Sequence, residues 1–266
     1  MAVVRSGSAE IYYEVHGEGP PITFSHGAGG NTLVWYNQVP YFAKNHTVVT
    51  FDHRGWGRST CAPEDKHAKF FAGDLKAVLD DAGIERTALV CQSMGGWTAM
   101  HFTLDNPGRV SCLVLSGTPG GISTPKVIEA RAARSRSRTS NLDRTIPWNE
   151  PHLALAADAF ERDPSMAFLY RMLSGVNPPI GDTATGDMGI SSSRLGSYDV
   201  PTLMISGGGD RIFPPAILED VSKVIPGAQL HSIPLAGHSP YFETPDEFNR
   251  VVGEFVSKHG SENGRK

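Results

Sequence analysis

The chain has 266 residues, 39% of them hydrophobic and 20% charged, with a net charge of −4. That is an ordinary composition for a soluble globular protein, long enough to bury one large α/β core or two small ones. The mild acidic balance makes no electrostatic case for nucleic acid or an anionic membrane as partner, and the three cysteines, odd in number and without a CxxC spacing, argue against a disulfide framework or a zinc site.

The N-terminal stretch "MAVVRSGSAEIYYEV" is too short and too polar to hold a signal peptide's apolar segment. No run approaches the length of a membrane span, so a reduced cytoplasmic protein is expected. In chain order, "IYYEV" and "PITFSHG" read as strands, followed by a helix through "LVWYNQVPYFAK". "HTVVTFD" is the next strand, and "KFFAGDLKAVLDDAG" a helix that Gly83 ends. "RTALVCQ" is a strand leading into a helix after Ser93, and "RVSCLVLSG" follows as another strand. Much later come the strand "VPTLMISGG", a helix over "PAILEDVSKVI", the strand "AQLHSIP" and a last helix, "TPDEFNRVVGEFVSK". Strands alternating with helices predict an α/β protein with a mostly parallel sheet covered on both faces.

One segment interrupts the alternation. From about Thr118 to Asp199 no strand pattern holds, and "KVIEARAARS", "PHLALAADAF" and "PSMAFLYRML" read as short helices. The expectation is a helical cap, residues 118–198, inserted into a core made of 1–117 and 199–260, with 261–266 a disordered tail. The cationic run Arg131, Arg134, Arg136 and Arg138 reads as a solvated helix face, with an anionic substrate as the alternative.

The chemistry centres on "ALVCQSMGGWTAM", residues 88–100. A sharp strand-to-helix turn holds a serine hydroxyl clear of its neighbours, and small flanking residues let helix and strand approach. The turn leaves the Met94 N–H at a helix N-terminus, free to stabilise an oxyanion. The bland alternative is an ordinary turn serine, favoured somewhat by Cys91 standing where the G-x-S-x-G pattern has glycine. A serine needs a base. His238, in "LAGHSPYFETPDEF", follows the last strand and should emerge on the same sheet edge. His16, His67, His101, His152 and His259 lie in contexts better explained by surface or helix packing. An orienting carboxylate is offered by Asp210 in "LMISGGGDRIFPP", though a turn aspartate is the plain alternative. In "TFSHGAGGN" the Ala28 N–H is the natural second oxyanion donor, and His26 a loop-packing residue.

Taken together, "HGAGG", "FDHRGWGRS", "SMGG", "GGGDRIFPP" and "AGHSPYFETPDEF" occur in the order found in α/β-hydrolases, and the sequence resembles that superfamily over nearly its whole length outside the cap. The resemblance implies an eight-stranded sheet, Ser93 as nucleophile, Asp210 as acid, His238 as base, and the Ala28 and Met94 N–H groups as oxyanion hole. It also makes Asp52, Arg54 and Gly55 a structural loop. Serine at 93 argues against the dehalogenase and epoxide hydrolase branches, which need a carboxylate nucleophile. The style of the motifs looks most like small esterases and 3-oxoadipate enol-lactonase-type hydrolases. The implied function is cleavage of a small carboxylic ester or lactone through an acyl-serine, without cofactor or metal. Rivals on the same scaffold are carbon–carbon bond hydrolases, a cofactor-free dioxygenase branch, and a ligand-binding receptor. Trp35, Trp97, Trp148, Phe213 and Tyr241 are candidate pocket residues, with Phe160, Phe168, Tyr170, Met172 and Met188 as further apolar lining from the cap. No oligomeric state follows from the sequence.

Overall fold

In the computed structural model, which describes residues 1–136, 149–150, 152–177 and 189–260, the chain begins with a hairpin. Ala2–Ser6 (β1) and Ala9–His16 (β2) pair antiparallel around Gly7-Ser8, with Gly7 at a φ of +59°. The strand β1 is not among those read from the sequence. Its alternating exposure, one face against the core and one to solvent, is a weaker signal than the buried runs that follow.

Six more strands complete the sheet: Pro21–Ser25 (β3), Thr47–Phe51 (β4), Thr87–Gln92 (β5), Val110–Ser116 (β6), Thr202–Gly207 (β7) and Gln229–Ile233 (β8). Their order is β1-β2-β4-β3-β5-β6-β7-β8, antiparallel at β1-β2 and β2-β4 and parallel throughout the rest. Every residue of β5, β6 and β7 is buried, which is why those segments read as unbroken apolar runs.

Helices Gln38–Phe42 (α1), Phe71–Asp81 (α2), Gly95–Asp105 (α3), Pro215–Ser222 (α7), Pro240–Glu243 (α8) and Pro245–His259 (α9) surround the sheet. Alternate side chains of β5 divide between two cores. Ala88 and Val90 pack in the layer with Phe42 of α1 and Phe248, Val252 and Phe255 of α9. Leu89 and Cys91 pack with Leu75 and Val78 of α2, Ala99 and Met100 of α3, and Leu218 of α7. Between β6 and β7 lie Pro125–Arg136 (α4), Ala159–Arg162 (α5) and Pro164–Gly175 (α6).

Two helices differ from expectation. The run "LVWYNQVPYFAK" divides into a 3-10 turn at Thr32–Trp35, capped by the Asn31 side chain, and α1. Pro40 carries no N–H to continue a helix from upstream, but it is tolerated in the first turn of a new one. The run "PHLALAADAF" is helical only from Ala159, because its earlier backbone is committed to tertiary contacts described below. The expected tail 261–266, Trp148, Met188 and Arg138 lie outside the described residues. No described helix is long and apolar enough to cross a membrane.

The loop after β4 is structural. The Asp52 carboxylate accepts the N–H groups of Thr32 (2.6 Å) and Arg58 (2.8 Å). Arg54 makes a two-pronged ion pair with Asp74 of α2, at 2.7 and 2.5 Å, both side chains buried.

Candidate active site

The chain leaves β3 in one direction to β4 and returns on the other side to β5, so the carboxyl ends of β3 and β5 flank a crevice. Such reversal points are where open parallel sheets bind ligands. The loop carrying Ala28 follows β3, and Ser93 follows β5.

Ser93 has a φ of +48°, the one non-glycine residue with positive φ among the described residues. A left-handed backbone costs an L-residue roughly 1–2 kcal/mol. The surroundings hold it there: the Ser93 N–H donates to the Ser116 carbonyl of β6 at 3.0 Å. The following glycines are required by close approach. A Cβ at Gly95 would collide with the Ser25 carbonyl, and one at Gly96 with the Thr118 side chain.

Cys91, two places earlier, is fully buried beneath α3, in the layer containing Ala99 and Met100. Burial pushes its thiol well above the ordinary range, so it stays protonated and unreactive. Cys91→Ala is therefore expected to keep its fold, whereas Cys91→Leu overpacks the elbow and lowers stability by about 1–3 kcal/mol. Chemical denaturation checks the pair, and iodoacetamide should leave the native thiol unmodified by mass spectrometry. Rapid alkylation of native Cys91 would refute the packing role.

His238 and Asp210 meet on the same edge. The Nδ1 of His238 lies 2.9 Å from Asp210 Oδ2, with both side chains almost completely buried. The other oxygen of Asp210 accepts the N–H groups of Ile212 (2.7 Å) and Phe213 (2.9 Å). The carboxylate is thus fixed in orientation, and with Oδ2 placed to accept a hydrogen bond from Nδ1–H it favours the tautomer that keeps Nε2 as an acceptor. Glycines let the two loops touch: a Cβ at Gly207 would strike the Gly237 carbonyl, and one at Gly208 the Pro234 carbonyl. Gly117, at the end of β6, likewise clears space for the imidazole, since a Cβ there would stand 3.0 Å from His238 Nδ1. Gln92, the residue before Ser93, donates from Nε2 to the His238 carbonyl at 3.1 Å. The serine turn and the histidine loop are joined through that side chain.

Neither the Ala28 N–H nor the Met94 N–H has an acceptor among the described residues. The Ala28 peptide is oriented by Trp56, whose Nε1–H donates to its carbonyl at 2.7 Å. His26 is fully buried, with Nδ1 donating to the Gly27 carbonyl and Nε2 accepting the His53 N–H at 3.0 Å. Burial holds both His26 and His53 below the usual imidazole range, so both are neutral parts of the loop scaffold.

The apolar candidates separate by position. Trp97 is half-buried, with the Arg131 guanidinium 5.7 Å above its ring. Phe213 is half-buried, 6.0 Å from the His238 ring. Trp35 and Tyr241 are fully buried and pack on each other at 4.6 Å. In the inserted segment Tyr170 is buried, while Phe168 and Met172 are exposed.

Two polar residues unforeseen from the sequence join the inserted segment to these loops. Asn177, just after α6, donates to the Gly29 and Gly30 carbonyls (3.2 and 3.1 Å) and accepts from Gly57 N–H and Asn31. Glu243, in α8, accepts the N–H groups of Gly237 and Ala156, each at 2.8 Å.

A left-handed serine, a carboxylate-oriented imidazole and two N–H groups without an acceptor among the described residues thus lie on one sheet edge. The chain belongs to the alpha/beta hydrolase family, whose model matches residues 24–251. It is 30% identical to a 2-hydroxy-6-oxononadienedioate/2-hydroxy-6-oxononatrienedioate hydrolase from Cupriavidus pinatubonensis, covering 93% of this chain and 87% of that one. It is 26% identical to a putative carbamate hydrolase, RutD, from Azorhizobium caulinodans, over 97% of this chain and 99% of the other. Among solved structures, Est816, described as an N-acyl homoserine lactone degrading enzyme, superposes with a TM-score of 0.79 at 30% identity, covering 96% of this chain and 100% of the other.

Proposed function

We propose that the protein hydrolyses a small carboxylic ester or lactone through an acyl-serine intermediate. The observation that carries this reading is the left-handed Ser93 elbow, joined through Gln92 to the loop whose His238 is oriented by Asp210 at 2.9 Å. Ser93 attacks the carbonyl carbon while His238 Nε2 takes its proton. The Ala28 and Met94 N–H groups receive the charge that develops on the carbonyl oxygen. His238 then gives its proton to the departing alcohol, which is retained in the same molecule when the substrate is a lactone. Water, deprotonated by the same imidazole, releases the acid and restores the serine.

The described residues of the segment between β6 and β7 act as the cap over the sheet core, and Trp97 and Phe213 line the pocket. Trp35 and Tyr241 support its wall from behind. Similarity to a protein described as degrading an N-acyl homoserine lactone favours the lactone arm. Similarity to an oxo-dienedioate hydrolase supports carbon–carbon bond cleavage as the second reading.

The deciding experiment is a panel of p-nitrophenyl esters, lactones and ring-fission diketones, assayed with Ser93→Ala as control. Ser93-dependent turnover of esters or lactones in preference to diketones supports the proposal. Preference for diketones moves it to the second reading.

The clamp at Asn177 gives a further expected outcome. Asn177→Ala leaves the Gly29 and Gly30 carbonyls and the Gly57 N–H without that partner. A buried polar group left unpaired costs about 1–3 kcal/mol, so the unfolding midpoint should fall clearly. Loosening the oxyanion loop should also lower kcat about tenfold, below the effect of deleting a donor outright. Unchanged melting and turnover would show that the loop needs no such support.

A further inference from the structure

We infer that Glu243 is a positioning residue, whose carboxylate ties the inserted segment to the loop carrying His238 and thereby sets where the imidazole stands. This inference rests on the acyl-serine reading above.

The contacts are specific. Glu243 Oε1 accepts the N–H groups of Gly237 (2.8 Å) and Ser239 (3.4 Å), the residues on either side of His238. Its Oε2 accepts the Ala156 N–H of the inserted segment at 2.8 Å. One side chain therefore grips the histidine loop from both flanks and holds the overlying backbone to it. The close fit is visible at Gly237, where a Cβ would collide with the Ala156 nitrogen. The carboxylate is fully buried, so no solvent can replace it as the acceptor of these N–H groups.

The surroundings make the clamp sensitive to pH. Arg162 of α5 stands 3.8 Å from Oε2, but it also pairs with Asp158 at 3.1 Å and donates to the Leu235 carbonyl. Tyr170 from α6 and Tyr241 from α8 face the carboxylate as phenols that burial keeps un-ionised. Burial pushes the Glu243 carboxyl up to about 7, outweighing the pull of the three N–H donors and Arg162. Above that pH the N–H groups donate to a charged acceptor, and below it to a weaker neutral one. The contribution to global stability runs the other way. A carboxyl raised above its unfolded value of 4.5 favours folding fully below 4.5, and loses that contribution as pH rises through about 7.

Glu243→Gln tests the clamp, because an amide has one acceptor oxygen and turns an NH₂ toward an N–H that needs an acceptor. Phosphonylation of Ser93 by a fluorophosphonate should slow about 10- to 100-fold, the scale of a small displacement of a reacting group. In the wild type the labelling rate should fall more steeply as pH drops through about 7 than in Glu243→Gln. Independently of any turnover, the far-downfield proton resonance of the His238–Asp210 pair should shift or broaden in the variant. The slope of melting temperature against pH between about 4.5 and 7 should flatten. Equal labelling rates and pH profiles, with an unmoved resonance, would overturn the inference even if melting changed. A wild type that the fluorophosphonate fails to label refutes the acyl-serine reading instead, and the resonance still decides whether Glu243 positions His238.

Discussion

Replacing Ser93 with alanine is expected to lower kcat on ester or lactone substrates by on the order of 10⁵- to 10⁶-fold, with no burst of released alcohol. The folded structure should survive, since the elbow is held by the Ser93 N–H bond to Ser116 and by the Gly95 and Gly96 contacts rather than by the hydroxyl. A companion substitution separates chemistry from strain. Ser93→Gly should be equally inactive yet more stable than the wild type by about 1 kcal/mol, because glycine adopts a φ of +48° without penalty. Together the two variants would show a backbone strained in the service of a reactive side chain. Turnover within tenfold of wild type in Ser93→Ala, with a normal unfolding transition, would remove the serine from the mechanism.

The elbow is legible in the sequence because everything that makes it is local. An apolar run, a break at Gln92-Ser93-Met94-Gly95-Gly96 and an apolar helix are adjacent along the chain, and the steric need for both glycines follows from that geometry. Cys91 is legible as packing for the same reason, since alternation along β5 sends it to the α3 side with Leu89. The order of the five motifs then brings Ser93, Asp210 and His238 to one sheet edge.

Contacts across the insertion are a different matter. Asn177 reaches loops around Gly29 and Gly57 that lie more than a hundred residues earlier, and nothing near it in sequence marks it out. Glu243 stands inside a quoted motif, but its partner Ala156 belongs to a segment whose composition reads as helix. That segment forgoes the helix because its backbone lies on Gly237 and donates to Glu243, a tertiary demand that overrides local propensity. Trp35 and Tyr241, read from the sequence as candidate pocket residues, are buried and packed on each other. Aromatic residues near a site motif serve the wall as readily as the mouth, and only packing tells which.

The acid offers the second large effect, and its geometry makes the outcome asymmetric. Asp210→Asn is nearly isosteric, but the site decides how the amide must turn. The Ile212 and Phe213 N–H groups both require an oxygen at the Oδ1 position. Satisfying them leaves the amide NH₂ facing His238 Nδ1, where Oδ2 stood at 2.9 Å. A donor there forces Nδ1 to accept, so the imidazole proton moves to Nε2, the nitrogen that in the proposed mechanism takes the proton of Ser93. The variant should fold normally and lose on the order of 10⁴ in kcat, the cost of the wrong tautomer. No substitute is at hand on the neighbouring β6 loop, where "LSGTPGGI" carries no carboxylate and Gly117 lies against the imidazole. Steady-state rates and melting temperatures of Asp210→Asn and Asp210→Ala together check this. Alanine should lose stability as well, because it leaves the Ile212 and Phe213 N–H groups without their acceptor, at about 1–3 kcal/mol for a buried group. Near-normal turnover in either variant would mean that the imidazole takes its orientation from elsewhere, and Asp210 would be reduced to capping the loop that follows β7.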